Sequence, residues 1–186
     1  MVKAQVENIV ISFTISSSLD LPKLAKILPD ATYNPDEIPA IVLQFSKPHS
    51  MATLFATGKV VVTGLRSMDE AHDVVKMITD RLYVFGVQFD KTSEITIQNV
   101  TVSTDLQQSL NLRRLANSLQ SVEYTPKVFP GLVYKENDPN TVILLFDSGK
   151  IVCNGTKLEE VNVALNKILD KLLSFGIKKE ENVCPK

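Results

Sequence analysis

The chain has 186 residues, 44% of them hydrophobic and 22% charged, which is typical of a globular protein with one large domain or two small ones. It contains no apolar run near the roughly 18 residues of a membrane span, and its first residues lack the apolar core of a secretory signal. The net charge of −1 argues against a nucleic-acid binder held mainly by phosphate neutralisation, so any such function must come from a local surface. The two cysteines, Cys153 and Cys184, have no metal or redox spacing and fit a reducing compartment.

The first predicted elements are a strand, a short helix and a group of short strands. Residues 8–15 alternate between polar and large apolar side chains, which predicts a strand with one buried face. Asp20 is the predicted N-cap of a helix with Pro22 in its first turn, and Pro29 ends this segment. Residues 31–64 are broken by proline and glycine at short intervals, which predicts several antiparallel strands.

A long amphipathic helix follows these strands. Ser67-Met68-Asp69-Glu70 has the pattern of a capping box, in which the first serine and the last glutamate satisfy free backbone donors. The apolar stripe of this helix runs from Ala71 to Phe85, and Gly86 follows as a stop signal.

The same order of elements then begins again. A shift of 91 positions relates Asn99 to Asn8 and Phe146 to Phe55. The chain is therefore predicted to be a duplication with repeats at 1–91 and 92–186, and a covalent dimer of this kind is expected to have a pseudo-two-fold axis. The same shift relates these further pairs: Tyr124 and Tyr33, Pro126 and Pro35, Pro130 and Pro39, Gly149 and Gly58, Lys150 and Lys59, Gly155 and Gly64.

Each repeat is predicted to cover one sheet face with two helices and to leave the other face open to a partner. The open face combines apolar with short polar residues and has long cations at its edges. Two symmetry-related asparagines, Asn8 and Asn99, suit a long, shallow ligand that offers acceptors at its centre, and the minor groove of A·T-rich DNA is such a ligand. The other members of this face are Val10, Thr53, Val61, Thr63, Thr101, Leu144, Val152 and Asn154, with Lys59, Arg66, Lys135, Lys150 and Lys157 at the edges.

Several motifs, taken in order and in both repeats, resemble those of the TATA-binding proteins, in particular the archaeal core domain. The resemblance extends over roughly residues 4–178. The motifs that carry it are Glu7-Asn8-Ile9-Val10, Gln98-Asn99-Val100, Tyr33-Asn34-Pro35, Glu123-Tyr124-Thr125-Pro126, Val128-Phe129-Pro130-Gly131-Leu132-Val133-Tyr134, Phe55-Ala56-Thr57-Gly58-Lys59 and Phe146-Asp147-Ser148-Gly149-Lys150.

The resemblance implies an α+β fold, a pseudo-two-fold saddle whose ten-stranded curved antiparallel sheet has four main helices on its convex face. The concave face would sit on the minor groove, and pairs of side chains would wedge between base steps, a mode of binding for which this family is itself the established example. By position, the implied wedges are Ile38, Phe55, Phe129 and Phe146. The implied base contacts are Asn8, Val10, Thr53, Val61, Thr63, Asn99, Thr101, Leu144, Val152 and Asn154, and the implied phosphate contacts are Lys59, Arg66, Lys135, Lys150 and Lys157.

The resemblance also implies a role and partners. The chain would be a general transcription initiation factor that binds TATA-box promoter DNA and recruits the B-type initiation factor and, indirectly, RNA polymerase. It would be a monomer on DNA, with weak self-association of the free protein left open, and would contact no membrane. No catalytic residue, metal ligand or cofactor is predicted. The expected location is the nucleoid of an archaeal cytoplasm, or the nucleus for a eukaryotic source. The alternative is a divergent paralogue that acts as a protein-interaction module with little or no DNA binding.

Several positions of the open face and its edges depart from the family pattern. Thr101 replaces a valine, Thr53 replaces a leucine and Gln44 replaces a basic residue. Ile38 replaces a phenylalanine and offers less area to stack on a base, which predicts a weaker kink at the first repeat. Asn154 stands where the first repeat has Thr63, which predicts tolerance of a G·C pair because the groove-side amino group of guanine needs an acceptor.

The loop that precedes Phe129, the second stirrup, departs as well. Thr125 and Lys127 replace acidic residues that meet the B-type factor in the family, whereas the first repeat keeps Asp36 and Glu37. Either the partner carries compensating changes or it docks differently.

Overall fold

The structure is a computed structural model that describes residues 4–89, 93–137 and 140–177. Cys184 and the predicted repeat boundary at residues 91 and 92 lie outside the described residues. The described residues form ten strands and four helices, and all strand pairs are antiparallel. The α+β class with ten antiparallel strands and four helices is confirmed.

The chain divides into two compact units. The first unit is Asn8–Gln98, and the second is Asn99–Lys186 together with Met1–Glu7. The order of elements predicted for each repeat, strand–helix–four strands–helix, is found twice along the chain. The elements of the first half are β1 Gln5–Thr14, α1 Leu21–Ile27, β2 Thr32–Asn34, β3 Ile38–Ser46, β4 His49–Phe55, β5 Lys59–Leu65 and α2 Met68–Val84. Those of the second half are β6 Thr96–Asp105, α3 Leu112–Ser118, β7 Val122–Glu123, β8 Leu132–Asn137, β9 Asn140–Leu145, β10 Lys150–Gly155 and α4 Leu158–Ser174.

The helix starts follow the predicted capping chemistry, with one difference. Asp20 accepts a hydrogen bond from the backbone N–H of Lys23 and so caps α1. Ser67 accepts from the backbone N–H of Glu70, as a capping box requires. The glutamate, however, accepts from the backbone N–H of Arg66 at 2.6 Å, one residue before the cap, so it fastens the incoming chain rather than the cap residue itself.

The strands of the two units have equivalent orders and equivalent registers. The order is β2-β3-β4-β5-β1 in the first unit and β6-β10-β9-β8-β7 in the second. One row of cross-strand partners in the first unit is Val42, Thr53, Val61 and Ser12. The equivalent row in the second unit is Val133, Leu144, Val152 and Ser103, each 91 positions later.

The core of each unit lies between its helices and one face of its strands. In the first unit Ala71, Val74, Ile78 and Leu82 of α2 are fully buried, as are alternate apolar residues of the strands. The second unit repeats this arrangement with the stripe of α4. Most strand residues of the opposite parity stay partly exposed in both units, so the face away from the helices is open. Within the described ranges, no helix is long and apolar enough to cross a membrane.

Candidate nucleic-acid interface

The five base contacts predicted in the first unit share one open face. Asn8, Val10, Thr53, Val61 and Thr63 are all partly exposed. Their apolar neighbours on the same strands are buried in the core, namely Ile9, Ile11, Ala52, Leu54, Val60 and Val62. Thr53 and Val61 are direct cross-strand partners. The alternation of the strands therefore gathers all five side chains into a single surface.

The second unit presents the equivalent five residues in the same way. Asn99, Thr101, Leu144, Val152 and Asn154 are partly exposed and lie on one face. Leu144 pairs with Val152, and Thr101 pairs with Asn154. The two sets thus occupy equivalent positions and combine apolar with short polar side chains. Each set includes one of the equivalent asparagines, and Asn154 adds a second asparagine in this unit.

The amide of Asn8 is oriented by the backbone. Its Oδ1 accepts a hydrogen bond from the N–H of Gly64 at 2.8 Å and a longer one, of 3.4 Å, from the Thr63 hydroxyl. Gly64 has a φ of +93°, and a Cβ there would lie 2.8 Å from the His49 carbonyl oxygen, so only glycine fits. Because a backbone N–H can only donate, the Asn8 oxygen must face it. The Nδ2 donor is left without a hydrogen-bond partner among the residues described.

The second unit uses a hydrogen-bonded chain instead. The Nδ2 of Asn99 donates to the Thr101 hydroxyl at 3.2 Å, and this hydroxyl donates to the Oδ1 of Asn154 at 2.7 Å. The threonine hydroxyl can fill both roles at once because it has one hydrogen and two lone pairs. The amide nitrogen of Asn99 therefore donates one hydrogen bond within the protein, whereas the amide nitrogen of Asn8 donates none to the residues described.

Three of the predicted wedge residues lie at a strand end or directly after one, and Phe129 lies in the loop before β8. In the second unit the ring centroids of Phe129 and Phe146 are 5.9 Å apart, and the rings meet edge-on at 66°. Both rings are partly exposed. In the first unit Ile38 begins β3 and is 52% exposed, while Phe55 ends β4 and is partly exposed. Large apolar side chains that remain exposed in this way are available to a partner.

The five predicted phosphate contacts are all exposed, but they are not equivalent. Lys157 donates to Glu160 at 2.8 Å, and this hydrogen bond raises the pKa of Lys157. Lys135 lies 3.8 Å from a carboxylate oxygen of Glu123. Within residues 4–89, 93–137 and 140–177, the other three form no ion pair: Lys59, Arg66 and Lys150.

The comparisons with known proteins agree with this geometry. The family model for "Transcription factor TFIID (or TATA-binding protein, TBP)" matches residues 3–85 and 94–175. The chain belongs to the TATA-binding protein family. It is a transcription factor of that family and not an enzyme.

Curated relatives and a solved structure cover nearly the whole chain. The chain is 42% identical over 181 residues to the TATA-box-binding protein of Thermococcus sibiricus, covering 97% of this chain and 98% of that one. It is 42% identical over 176 residues to TATA-box-binding protein 2 of Haloferax volcanii, covering 93% and 95%. The solved structure of Methanococcus jannaschii TBP has a TM-score of 0.83 and 37% identity, covering 92% of this chain and 99% of that one.

The second stirrup is an exposed turn. The backbone carbonyl of Thr125 accepts hydrogen bonds from the N–H groups of Val128 and Phe129, at 2.8 and 3.0 Å. Thr125 and Lys127, the two predicted partner contacts, are exposed on it. Val128 is 86% exposed. The sequence alone did not indicate this exposure, because valine is one of the residue types most often found buried.

The open face also extends beyond the predicted contacts. Met51 is the cross-strand partner of Thr63, and Val142 is the partner of Asn154. Both are large, apolar and exposed, at 38% and 36%. Their place on this face follows from the two-residue period of the strands, a signal that was available in the sequence.

Proposed function

We propose that this chain is a general transcription initiation factor that binds A·T-rich, TATA-box promoter DNA with its open face in the minor groove. The observation that carries the proposal is the outward donor of Asn8, which the Gly64 N–H orients. The minor-groove edge of an A·T pair offers acceptors only, so a fixed donor within an apolar surface complements it. The relatives named TATA-box-binding proteins support the same ligand.

The wedge residues would kink the duplex at the ends of the site. Phe129 and Phe146 present two partly exposed rings from the second unit, and Ile38 and Phe55 present a smaller apolar pair from the first. Inserting apolar side chains between base steps unstacks them and bends DNA towards the major groove. Because the first pair has less area to insert, its kink is the weaker one.

The edge cations would hold the phosphates. The chain as a whole has a net charge of −1, so attraction over long distances is weak and binding depends on apolar contact and on DNA deformability. Lys59, Arg66 and Lys150 are the strongest candidates, since no carboxylate among the described residues pairs with them.

The protein partners would be the B-type initiation factor and, through it, RNA polymerase. The second stirrup offers Thr125 and Lys127 in place of carboxylates, next to the exposed Val128, so the partner surface that meets this stirrup would be apolar with a compensating acidic group. Asp36 and Glu37 are exposed on the first-unit loop. The chain would consist of two sequence repeats, 1–91 and 92–186. It would bind DNA as a monomer in the nucleoid of an archaeal cell.

The test is a titration of the full chain against a labelled TATA duplex and a scrambled G·C-rich duplex, each with and without the B-type factor. A preference for the TATA duplex, strengthened by the factor, supports the proposal. No preference under either condition would overturn it and favour the alternative, a paralogue that acts through protein contacts alone.

A further inference from the structure

The end of α2 and the neighbouring α1 enclose a cleft in the first unit. Its cavity measures about 170 Å³, and the apolar part of its lining is Leu19, Leu24, Ile27, Phe85 and Val87. An apolar cavity of about 150 Å³ can hold benzene, so this cleft has room for the side chain of a leucine or a phenylalanine. The cleft is built from helix residues and the segments next to them, and none of the predicted base contacts lines it.

Hydrogen bonds hold this first-unit cleft in shape. The N–H groups of Gly86 and Val87 donate to carbonyl groups in the last turn of α2 at 2.9 and 3.0 Å, and Gly86 has a φ of +79°, so the helix ends in a Schellman turn. Arg81 donates to the carbonyl of Pro29 and lies 3.7 Å from a carboxylate oxygen of Asp30, which ties α2 to the end of α1. The cleft is therefore formed before any partner binds.

Free cations flank the cavity. Lys23 lines it, Lys26 follows one turn later on α1, and both are exposed. Neither forms an ion pair within residues 4–89, 93–137 and 140–177. Among the described residues, Asp20 is the one carboxylate of the lining, and it already accepts a hydrogen bond from the backbone N–H of Lys23. The unpaired charge beside the apolar lining is therefore positive.

The equivalent place in the second unit is polar. The shift of 91 positions relates Ile27 to Ser118, and a shift of 90 in the last helix relates Val84 to Ser174. Both serines line a larger cavity, of about 430 Å³, whose walls are mostly polar. Since the two units share one fold, the fold does not require apolar residues here. Ile27 and Val84 are nevertheless 36% and 77% exposed, and exposed apolar side chains that gather in one place mark a binding surface.

We propose that the first-unit cleft binds an acidic amphipathic segment of a partner protein. One large apolar side chain of this segment fills the cavity against Ile27 and Phe85, and its carboxylates pair with Lys23 and Lys26. The apolar contact supplies most of the affinity, while the lysines select against basic segments. A second copy of this chain is disfavoured, because two facing clefts would bring like charges together. This inference does not depend on DNA binding.

A peptide selection on the full chain supplies the test. A displayed library of random peptides is selected on the parent chain and counter-selected on Ile27→Ser, which gives the first unit the residue that the second unit has. We expect the retained peptides to carry a leucine or phenylalanine with aspartate or glutamate within one helical turn. Each retained peptide is then synthesised with a fluorescein label, and anisotropy measures its affinity for the parent chain and for further variants.

The lysines give the decisive comparison. Lys23→Ala combined with Lys26→Ala should weaken binding of the retained peptides about tenfold at low salt and less at high salt, because salt screens exposed charges. Ser118→Ile, the reverse change in the second unit, should leave their affinity unchanged, and a TATA duplex should not compete with them. The altered side chains are exposed, so every variant should keep the melting temperature of the parent chain.

Three results would overturn the inference. The first is a selection that retains no peptides, or only basic or uncharged ones. The second is a peptide affinity that the lysine variants leave unchanged. The third is a dimer of the parent chain, seen by sedimentation, that Ile27→Ser dissociates, since a second copy would then fill the cleft. The titration with TATA duplex is read separately, and its failure would overturn the proposed function without touching this cleft.

Discussion

The side-chain oxygen of Asn8 lies 2.8 Å from the backbone nitrogen of Gly64, and this one hydrogen bond turns the Asn8 amide donor towards the open face of the first unit. The equivalent Asn99 has its amide nitrogen bonded to Thr101 instead. The two equivalent asparagines, which the sequence predicts to be a symmetric pair, therefore differ in their hydrogen bonds: the Asn99 amide nitrogen donates to Thr101, and that of Asn8 has no partner among the described residues.

Replacing Asn8 with aspartate tests the role of this donor. The carboxylate keeps an oxygen for the Gly64 N–H, so the fold should persist, but it removes the donor and brings a negative charge towards minor-groove acceptors. We expect a loss of affinity for the TATA duplex of about 10- to 100-fold, corresponding to roughly 1–3 kcal/mol for a lost base contact. Fluorescence anisotropy measures the affinity, and circular dichroism verifies the fold. Equal affinities of the Asn8→Asp, Asn8→Ala and parent chains would contradict the assignment.

The Asn154 oxygen sets a prediction about sequence preference. It accepts one hydrogen bond, from Thr101, and an amide oxygen has a second lone pair that can accept from the amino group of guanine. A binding selection on randomised duplexes should recover G·C pairs in one half of the site for the parent chain. Asn154→Thr should remove them, while Thr101→Val should retain or increase them because it frees the oxygen. A preferred site that Asn154→Thr leaves unchanged would refute this role.

The edge lysines should differ in their effect on salt dependence. Lys150 forms no ion pair among the described residues, whereas Lys157 already donates to Glu160 at 2.8 Å. Lys150→Ala should reduce the slope of log affinity against log salt by about 0.9, the value for one phosphate contact. Lys157→Ala should change the slope less. In the parent chain Lys157 must give up its ion pair with Glu160 before it can contact a phosphate, and this cost reduces its contribution to binding. Measuring the slope of each variant between about 50 and 300 mM salt tests this difference. Equal changes for both variants would go against this ranking.

The buried thiol of Cys153 gives a prediction about pH. Burial raises the pKa of Cys153 from 9.0 to about 11. The unfolded chain loses the proton first as pH rises, so the contribution of this thiol to stability is complete below pH 9 and is lost as pH rises towards 11. In a Cys184→Ser background, the thiol should stay unreactive towards a disulfide reagent at pH 8 until the protein is unfolded. The urea midpoint should fall more steeply between pH 9 and 11 than that of a Cys153→Ala control. Rapid labelling of the folded protein at pH 8 would show that the thiol is accessible.

Much of the fold and of the face could be predicted from the sequence because both depend on periodicity. The two-residue alternation of the strands assigns each side chain to one face, and the shift of 91 positions fixes equivalent residues in the second half. That is why Thr53 and Val61, or Leu144 and Val152, could be placed together before any coordinates. The same rule assigns Met51 and Val142 to this face.

The remaining details depend on distances that no periodicity encodes. Side-chain conformation decides whether the Asn154 oxygen accepts from Thr101 and whether Lys157 donates to Glu160. These bonds form only when the atoms are placed to within a few tenths of an ångström. The close approach of the Phe129 and Phe146 rings to Gly131 depends on local packing, and in the sequence this glycine resembles any other loop glycine. The exposure of Val128 depends on the turn that Thr125 closes.

The measurement that tests minor-groove recognition most directly replaces the A·T pairs of a TATA duplex with inosine·cytosine pairs. An inosine·cytosine pair has the same minor-groove edge as an A·T pair, but its major-groove edge is that of G·C. Binding of the full chain to this duplex should stay within about twofold of the TATA duplex, while a G·C duplex of the same pattern should bind at least about tenfold more weakly. Equal loss of binding on the inosine·cytosine and G·C duplexes would contradict the account, because recognition would then depend on groups outside the minor groove.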